Sequence, residues 1–163
     1  MFWVRPLDED DRRSVRLVWA VLIVIICGCA HDLYRERADA IKDHAKAFYA
    51  HLEADRVQAA VHQNEQIEAI GVEMGDRIRQ RAHQPGSNEV DRDAVLVRTA
   101  YDAAARNWLA LARYFTLKKQ YDQARSTYQR VVETYNAQPF QVYAEQAARG
   151  LKDLSMLTPS SRP

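Results

Sequence analysis

The strongest pattern in the chain is one apolar stripe that runs through residues 90–115. Its apolar residues recur at alternating spacings of four and three without a miss, which is the period of one face of an α-helix. The segment therefore predicts about seven helical turns. A stripe this long and regular indicates packing against other helices, with its aromatic residues in the core. Its members are Val90, Ala94, Val97, Tyr101, Ala104, Trp108, Leu111 and Phe115.

Two shorter stripes of the same period precede it. The first predicts a helix over about residues 32–52, and the second predicts a helix that continues to about residue 82. Because the stripe changes phase near Glu53–Arg56, we favour two helices that meet there over one long helix whose buried face rotates. The first stripe consists of Tyr34, Ala38, Ile41, Ala45, Phe48 and Leu52, and the second of Ala60, Ile67, Ile70, Met74 and Ile78.

A loop separates these helices from the long central one. Residues 84–88 contain a Pro-Gly pair that opposes helix formation. Ser87 or Asn88 can cap the next helix, and Glu89 and Asp91 suit the positive end of its dipole. After the central helix, the composition remains rich in good helix formers, and no segment shows the alternation of a half-buried strand. We therefore predict an all-α fold.

The N-terminus has a different character. Arg12, Arg13 and Arg16 precede an uninterrupted apolar run over residues 17–30, which charged residues follow at once. A spanning helix needs roughly 20 apolar residues, so a run of this length behind a basic segment indicates an export signal. We assign residues 1–28 to a signal peptide. A short membrane anchor remains the alternative.

The run ends in Ile26-Cys27-Gly28-Cys29, which resembles the lipobox of bacterial lipoproteins. That resemblance implies cleavage before Cys29 and acylation of Cys29, with palmitate among the attached chains. Ala30 follows the cysteine, where an aspartate would retain such a protein in the inner membrane. The resemblance thus implies a periplasm-facing lipoprotein of the outer membrane, with inner-membrane anchoring as the alternative.

The remaining 135 residues are nearly neutral, with 19 basic and 18 acidic side chains, which gives no sign of a nucleic-acid partner. No cysteine follows Cys29, so this part of the chain can form no internal disulfide. The histidines lack the spacing of a metal site, and a solvated helix face accounts for the carboxylates Glu65, Glu68, Glu73 and Asp76. No catalytic motif is present, and we predict no enzyme, no cofactor, no metal and no small-molecule substrate.

Residues 105–139 resemble one tetratricopeptide repeat, a helical hairpin with aromatic and small residues at fixed positions. Lys119 stands where the turn glycine of that pattern often lies, and Pro139 follows a few residues after the usual closing proline. The resemblance implies antiparallel hairpins in a right-handed stack of about five helices; an unrelated antiparallel bundle is the alternative. The matching residues are Trp108, Leu111, Ala112, Phe115, Tyr121, Ala124 and Tyr128.

The resemblance also implies that a partner peptide binds on the concave face, lined by the first helix of each pair. Here that face would include Arg106, Leu109 and Arg113, and the two guanidinium groups could hold carboxylates of the partner. The sequence thus predicts a lipid-anchored interaction scaffold or adaptor of the cell envelope. The alternative is a structural subunit that assembles through its N-terminal helices.

These predictions divide the chain into five parts. Residues 1–28 form the signal peptide, residues 29–83 the N-terminal helices and residues 84–89 the loop. The tetratricopeptide-like helical domain covers residues 90–157, and a disordered tail covers residues 158–163.

Overall fold

The computed structural model describes residues 33–81 and 88–157, and within these ranges the protein is all-α, as the sequence predicts. The segment that carries Cys29 and the tail at residues 158–163 lie outside the described residues. The chain divides into two compact units, residues 1–36 and 37–163, and the packing below concerns the second. The described ranges contain α1 (33–53), which belongs to this unit from residue 37 onward, α2 (Val57–Arg81), α3 (Asn88–Leu117), α4 (Tyr121–Thr134) and α5 (Gln141–Leu157).

The predicted break between the first two helices is confirmed, although neither glycine nor proline marks it. Asp55 adopts a left-handed backbone conformation with φ of 60°. Its N–H donates to the carbonyl of Leu52 at 3.1 Å, and the N–H of Arg56 donates to the carbonyl of His51 at 2.9 Å. These two bonds form a Schellman motif, which satisfies the last carbonyls of α1 and ends the helix.

The turn between α3 and α4 has the same geometry. Lys119 also has a φ of 60°, its N–H donates to Thr116 at 3.0 Å, and the N–H of Gln120 donates to Phe115 at 2.9 Å. The two turns thus correspond residue for residue at an offset of 64 positions. Buried positions on the helices correspond at the same offset, as Ala60 with Ala124 and Ile67 with Val131 show.

Polar contacts show how neighbouring helices run. His44 and Gln63 hydrogen-bond at 2.7 Å between α1 and α2, whereas Arg37 pairs with Glu73 at 3.0 Å farther from the turn. Residues closer to the N-terminus of α1 therefore contact residues closer to the C-terminus of α2. The two helices are antiparallel. The contacts between α2 and α3 follow the same rule, which makes α1 and α3 parallel. Helix α5 packs against both α4 and α3.

Helix α3 occupies the centre of this unit, and its C-terminal half is buried on several sides. The predicted stripe is confirmed there, but its N-terminal half is rotated. Ala94 is exposed, because α3 turns Asp93 toward α2, where Arg77 and Arg81 pair with that carboxylate at 3.6 and 3.3 Å. The buried apolar residues of α3 are Leu96, Ala100, Ala104, Ala105, Trp108, Leu109, Leu111, Ala112 and Phe115.

A buried amide pair sets the contact between α2 and α3. The side-chain nitrogen of Asn107 donates to Oδ1 of Asn64 at 2.9 Å, and the nitrogen of Asn64 donates to the carbonyl of Ala104 at 3.2 Å. Asn64 and Asn107 are 0% and 2% exposed. Sliding α2 along α3 would leave these groups without partners in the core, so the pair favours one register.

One glycine is required by the close approach of two helices. Gly150 of α5 lies against the ring of Tyr128 on α4, and a Cβ at this position would fall 2.5 Å from the ring carbon Cζ. That distance is far inside van der Waals contact, so no larger residue fits without moving α5 away from α4.

The left-handed turn at Lys119 leads to a stability prediction. A side chain in this conformation costs about 1 kcal/mol or more, and glycine avoids that cost. We expect Lys119→Gly to raise the free energy of unfolding by about 1 kcal/mol in urea denaturation. The control is Ala148→Gly, at an exposed position inside α5, which should lower it by about 1 kcal/mol. Equal losses from both substitutions would contradict the turn geometry.

Candidate functional site

An open groove of about 590 Å³ lies between the C-terminal halves of α1 and α3. We call it the α1–α3 groove. Two of its residues are large, apolar and exposed, namely Tyr49 at 44% and Leu117 at 84%. Apolar surface that a fold leaves open to water at one place favours contact with another molecule. The groove is lined by Tyr49, Leu52, Glu53, Asp55, Ala110, Arg113, Tyr114, Leu117 and Lys118.

The offset between the hairpins defines which groove residues occupy equivalent positions on the parallel helices. Tyr49 of α1 corresponds to Arg113 of α3, and Glu53 corresponds to Leu117. Each wall therefore carries one charged and one apolar side chain one turn apart, in opposite order on the two helices. Neither the guanidinium group of Arg113 nor the carboxylate of Glu53 forms a side-chain hydrogen bond or ion pair with any residue that the structure describes.

One end of the groove is held together by the α1–α2 turn. The carboxylate of Asp55 accepts a hydrogen bond from the hydroxyl of Tyr114 and pairs with Lys118 Nζ at 3.1 Å. The same ammonium group lies 5.4 Å from the centre of the Tyr114 ring, within the range of a cation–π contact. These contacts join the end of α1 to the end of α3, so the spacing of the groove walls is set before any partner binds.

The three predicted partner-binding residues have different surroundings. Leu109 is buried, so the prediction that it lies on an exposed face is wrong. Arg106 is exposed but engaged, because it pairs with Asp102 at 2.7 Å and donates to the hydroxyl of Tyr143 at 3.2 Å. These two contacts raise the pKa of Arg106. Arg113 is exposed and lines the α1–α3 groove.

The residues that match the tetratricopeptide pattern meet at the α3–α4 hairpin. Tyr121, at the start of α4, is half-buried and the other members are buried. Ala112 and Ala124 have no exposed surface, as expected for small residues that allow two helices to approach. The buried members are Trp108, Leu111, Ala112, Phe115, Ala124 and Tyr128.

A second groove, of about 600 Å³, lies between α2 and α4 with Trp108, Leu111 and Phe115 of α3 among its lining residues. The charged residues that line this second groove are Asp55 and Arg130. In contrast to Arg113 and Glu53 of the first groove, both have partners inside the protein. Asp55 pairs with Lys118, and Arg130 pairs with Glu68 at 2.9 Å. The α1–α3 groove is therefore the candidate site for binding a partner.

The partner of Arg130 is a carboxylate that three side chains bind. We call this group the Glu68 cluster: Glu68, Trp108, Arg130 and Tyr135. The indole N–H of Trp108 and the hydroxyl of Tyr135 donate to Glu68 Oε1 at 2.7 and 2.8 Å. Arg130 binds Oε2 and stacks 3.9 Å above the Trp108 ring. Burial and the carboxylate raise the pKa of Tyr135 far above its usual range, so this hydroxyl stays protonated as a donor.

The sequence-based interpretation of Glu68 as part of a solvated face is therefore wrong, because its side chain is only 18% exposed. Of the other carboxylates in that set, Glu73 pairs with Arg37 of α1. Asp76 pairs with Arg79, and Glu65 is exposed. Among the four, only Glu68 receives three donors, from Trp108, Arg130 and Tyr135, a difference that composition and period do not reveal.

The described residues contain no group of three or more histidine, cysteine or acidic side chains placed to hold a metal ion. Among the helices of residues 33–81 and 88–157, none has the length and apolar character needed to cross a membrane. Comparisons of the chain with family models, with curated proteins and with solved structures found no match. Its function is therefore argued from its own residues.

The Glu68 cluster yields a prediction about stability. Glu68→Gln places an amide donor where two donors and a cation require acceptors, and it removes the negative charge. We expect the free energy of unfolding to fall by about 2 kcal/mol in urea denaturation, because hydrogen bonds to charged groups contribute about 1.5–3 kcal/mol. Glu65→Gln, one turn earlier on the exposed side of α2, should change it by less than about 0.5 kcal/mol. Similar effects of both changes would show that the cluster contributes little.

Proposed function

We propose that the protein is a lipid-anchored interaction scaffold of the bacterial cell envelope, which binds a segment of a partner protein in the α1–α3 groove. The observation that carries the proposal is the convergence of Tyr49, Leu117 and Arg113 on this groove. Two exposed apolar side chains lie there together with a cation that has no ion-pair partner among the described residues. This is a surface that a partner can cover with apolar contact and a compensating charge.

The sequence supports the proposed anchor. The apolar run and the lipobox-like ending predict acylation at Cys29, and acyl chains would hold the helical unit at a membrane surface facing the periplasm. The outer membrane is our preferred location, because Ala30 and not aspartate follows the cysteine; the inner membrane is the alternative. The proposal assigns no catalytic reaction and no cofactor to the chain.

The order of the helices supports a tetratricopeptide-like arrangement. The α1–α2 and α3–α4 hairpins share their turn geometry, and α5 packs where the first helix of a following hairpin would lie, against both α3 and α4. On this interpretation α1, α3 and α5 line the concave side of a right-handed stack, and the α1–α3 groove is part of that side. The left-handed φ of Lys119 supports the match at the position where a turn glycine is common.

The exposed residues of α1 favour a scaffold over a structural subunit that assembles through its N-terminal helices. Lys42, Asp43 and Lys46 are all exposed on α1, and a surface of mixed charges is a poor assembly face. The large apolar side chain that α1 exposes, Tyr49, belongs to the groove. A single bound segment therefore accounts for the surface better than packing of a second chain along the helix.

Site-specific crosslinking in cells tests this proposal. A photoreactive amino acid is placed at Leu117, at Tyr49 or at Met156 in the full chain, which also receives an alkyne-tagged palmitate. Met156 is 66% exposed on α5 and does not line the groove. We expect the same partner protein to be crosslinked from positions 117 and 49 and not from position 156, and we expect Cys29→Ser to abolish the acyl label.

Two results would contradict the proposal. Equal acyl labelling of Cys29→Ser would exclude the anchor. Crosslinks from position 117 that match those from position 156 would exclude the groove as a specific binding site.

A further inference from the structure

We propose that the α1–α3 groove recognises a zwitterionic peptide segment, in which an acidic and a basic side chain flank a bulky apolar side chain. The acidic group pairs with Arg113 and the basic group pairs with Glu53. This inference rests on the proposed function, because it specifies the chemistry of the partner that the scaffold binds.

The spacing within each wall follows from the helix geometry. Tyr49 and Glu53 are four residues apart on α1, and Arg113 and Leu117 are four residues apart on α3. Four residues advance a helix by about 6 Å, so on each wall a charged and an apolar side chain lie about one turn apart. The ring precedes the carboxylate on α1, and the guanidinium group precedes the aliphatic side chain on α3.

The charges of the groove identify the charges of its partner. Lys118 is paired with Asp55, whereas Arg113 and Glu53 have no ion-pair partner within the described ranges. A partner that covers the groove desolvates both groups, which is unfavourable unless each one receives an opposite charge. The complementary segment therefore carries both signs.

This geometry revises the sequence-based hypothesis of a guanidinium pair that holds two carboxylates. Arg106 is already engaged by Asp102 and Tyr143, so it is not available as the second clamp. A second carboxylate on the bound segment would be repelled by Glu53. An apolar side chain between the two charges has Tyr49 and Leu117 to cover it, one from each wall.

Selection from a displayed library of random peptides tests the proposal with no knowledge of the natural partner. The full chain, purified in detergent micelles, serves as the target, and the same selection is repeated on Arg113→Gln, Glu53→Gln and Arg149→Gln. Arg149 is an exposed arginine of α5 outside the groove. A control at this position removes the same charge from the same kind of helical surface.

The unsubstituted protein should enrich peptides that combine an acidic, an apolar and a basic residue. Arg113→Gln should lose the preference for the acidic residue only, and Glu53→Gln should lose the preference for the basic residue only. For an enriched peptide, each groove substitution should weaken binding about tenfold, which corresponds to about 1.4 kcal/mol. Arg149→Gln should preserve both preferences and weaken binding less than about twofold.

Enrichment of purely acidic, purely basic or uncharged peptides would overturn the proposal. Charge preferences that neither Arg113→Gln nor Glu53→Gln changes would also overturn it, and so would a failure to enrich any peptide. The crosslinking experiment separates this failure from failure of the proposed function. A partner crosslinked from positions 49 and 117 through a segment of one charge sign would overturn the zwitterionic assignment alone and leave the scaffold function intact.

Discussion

The amide pair between Asn64 and Asn107 is the interaction on which the rest of the architecture depends. Both side chains are almost fully buried, and Asn64 uses its oxygen for Asn107 and its nitrogen for the carbonyl of Ala104. An apolar helix interface tolerates several registers, whereas a buried amide tolerates the one that satisfies it. The pair thus fixes α2 against α3 at the point where the two hairpins meet.

The groove follows from this register. Helix α2 is joined to α1 by the short turn at Asp55, so a fixed position of α2 on α3 also fixes α1 beside α3. The contacts of Asp55 with Tyr114 and Lys118 then close that end of the groove. One turn beyond the amide pair on α2, the Glu68 cluster attaches this helix to α4. The fold thereby leaves Arg113 and Glu53 open to solvent while most nearby charges are paired.

The helical period predicted the number, order and approximate bounds of the helices, because apolar spacing responds directly to which face is buried. It missed residues whose role depends on a partner helix. Asn64 fills the gap in the second stripe between Ala60 and Ile67, so its burial was detectable from its position. The engagement of Glu68, Arg106 and Leu109 was not, since it depends on which elements lie opposite.

A double-mutant cycle on the amide pair tests the proposed register most directly. Asn64→Leu or Asn107→Leu alone leaves a buried amide without its partner, and each should lower the free energy of unfolding by about 1–3 kcal/mol. The double variant removes both polar groups and should lose at least about 1 kcal/mol less than the sum of the single losses. Additive losses would show that the two side chains do not meet in the core, and the account of the register would be wrong.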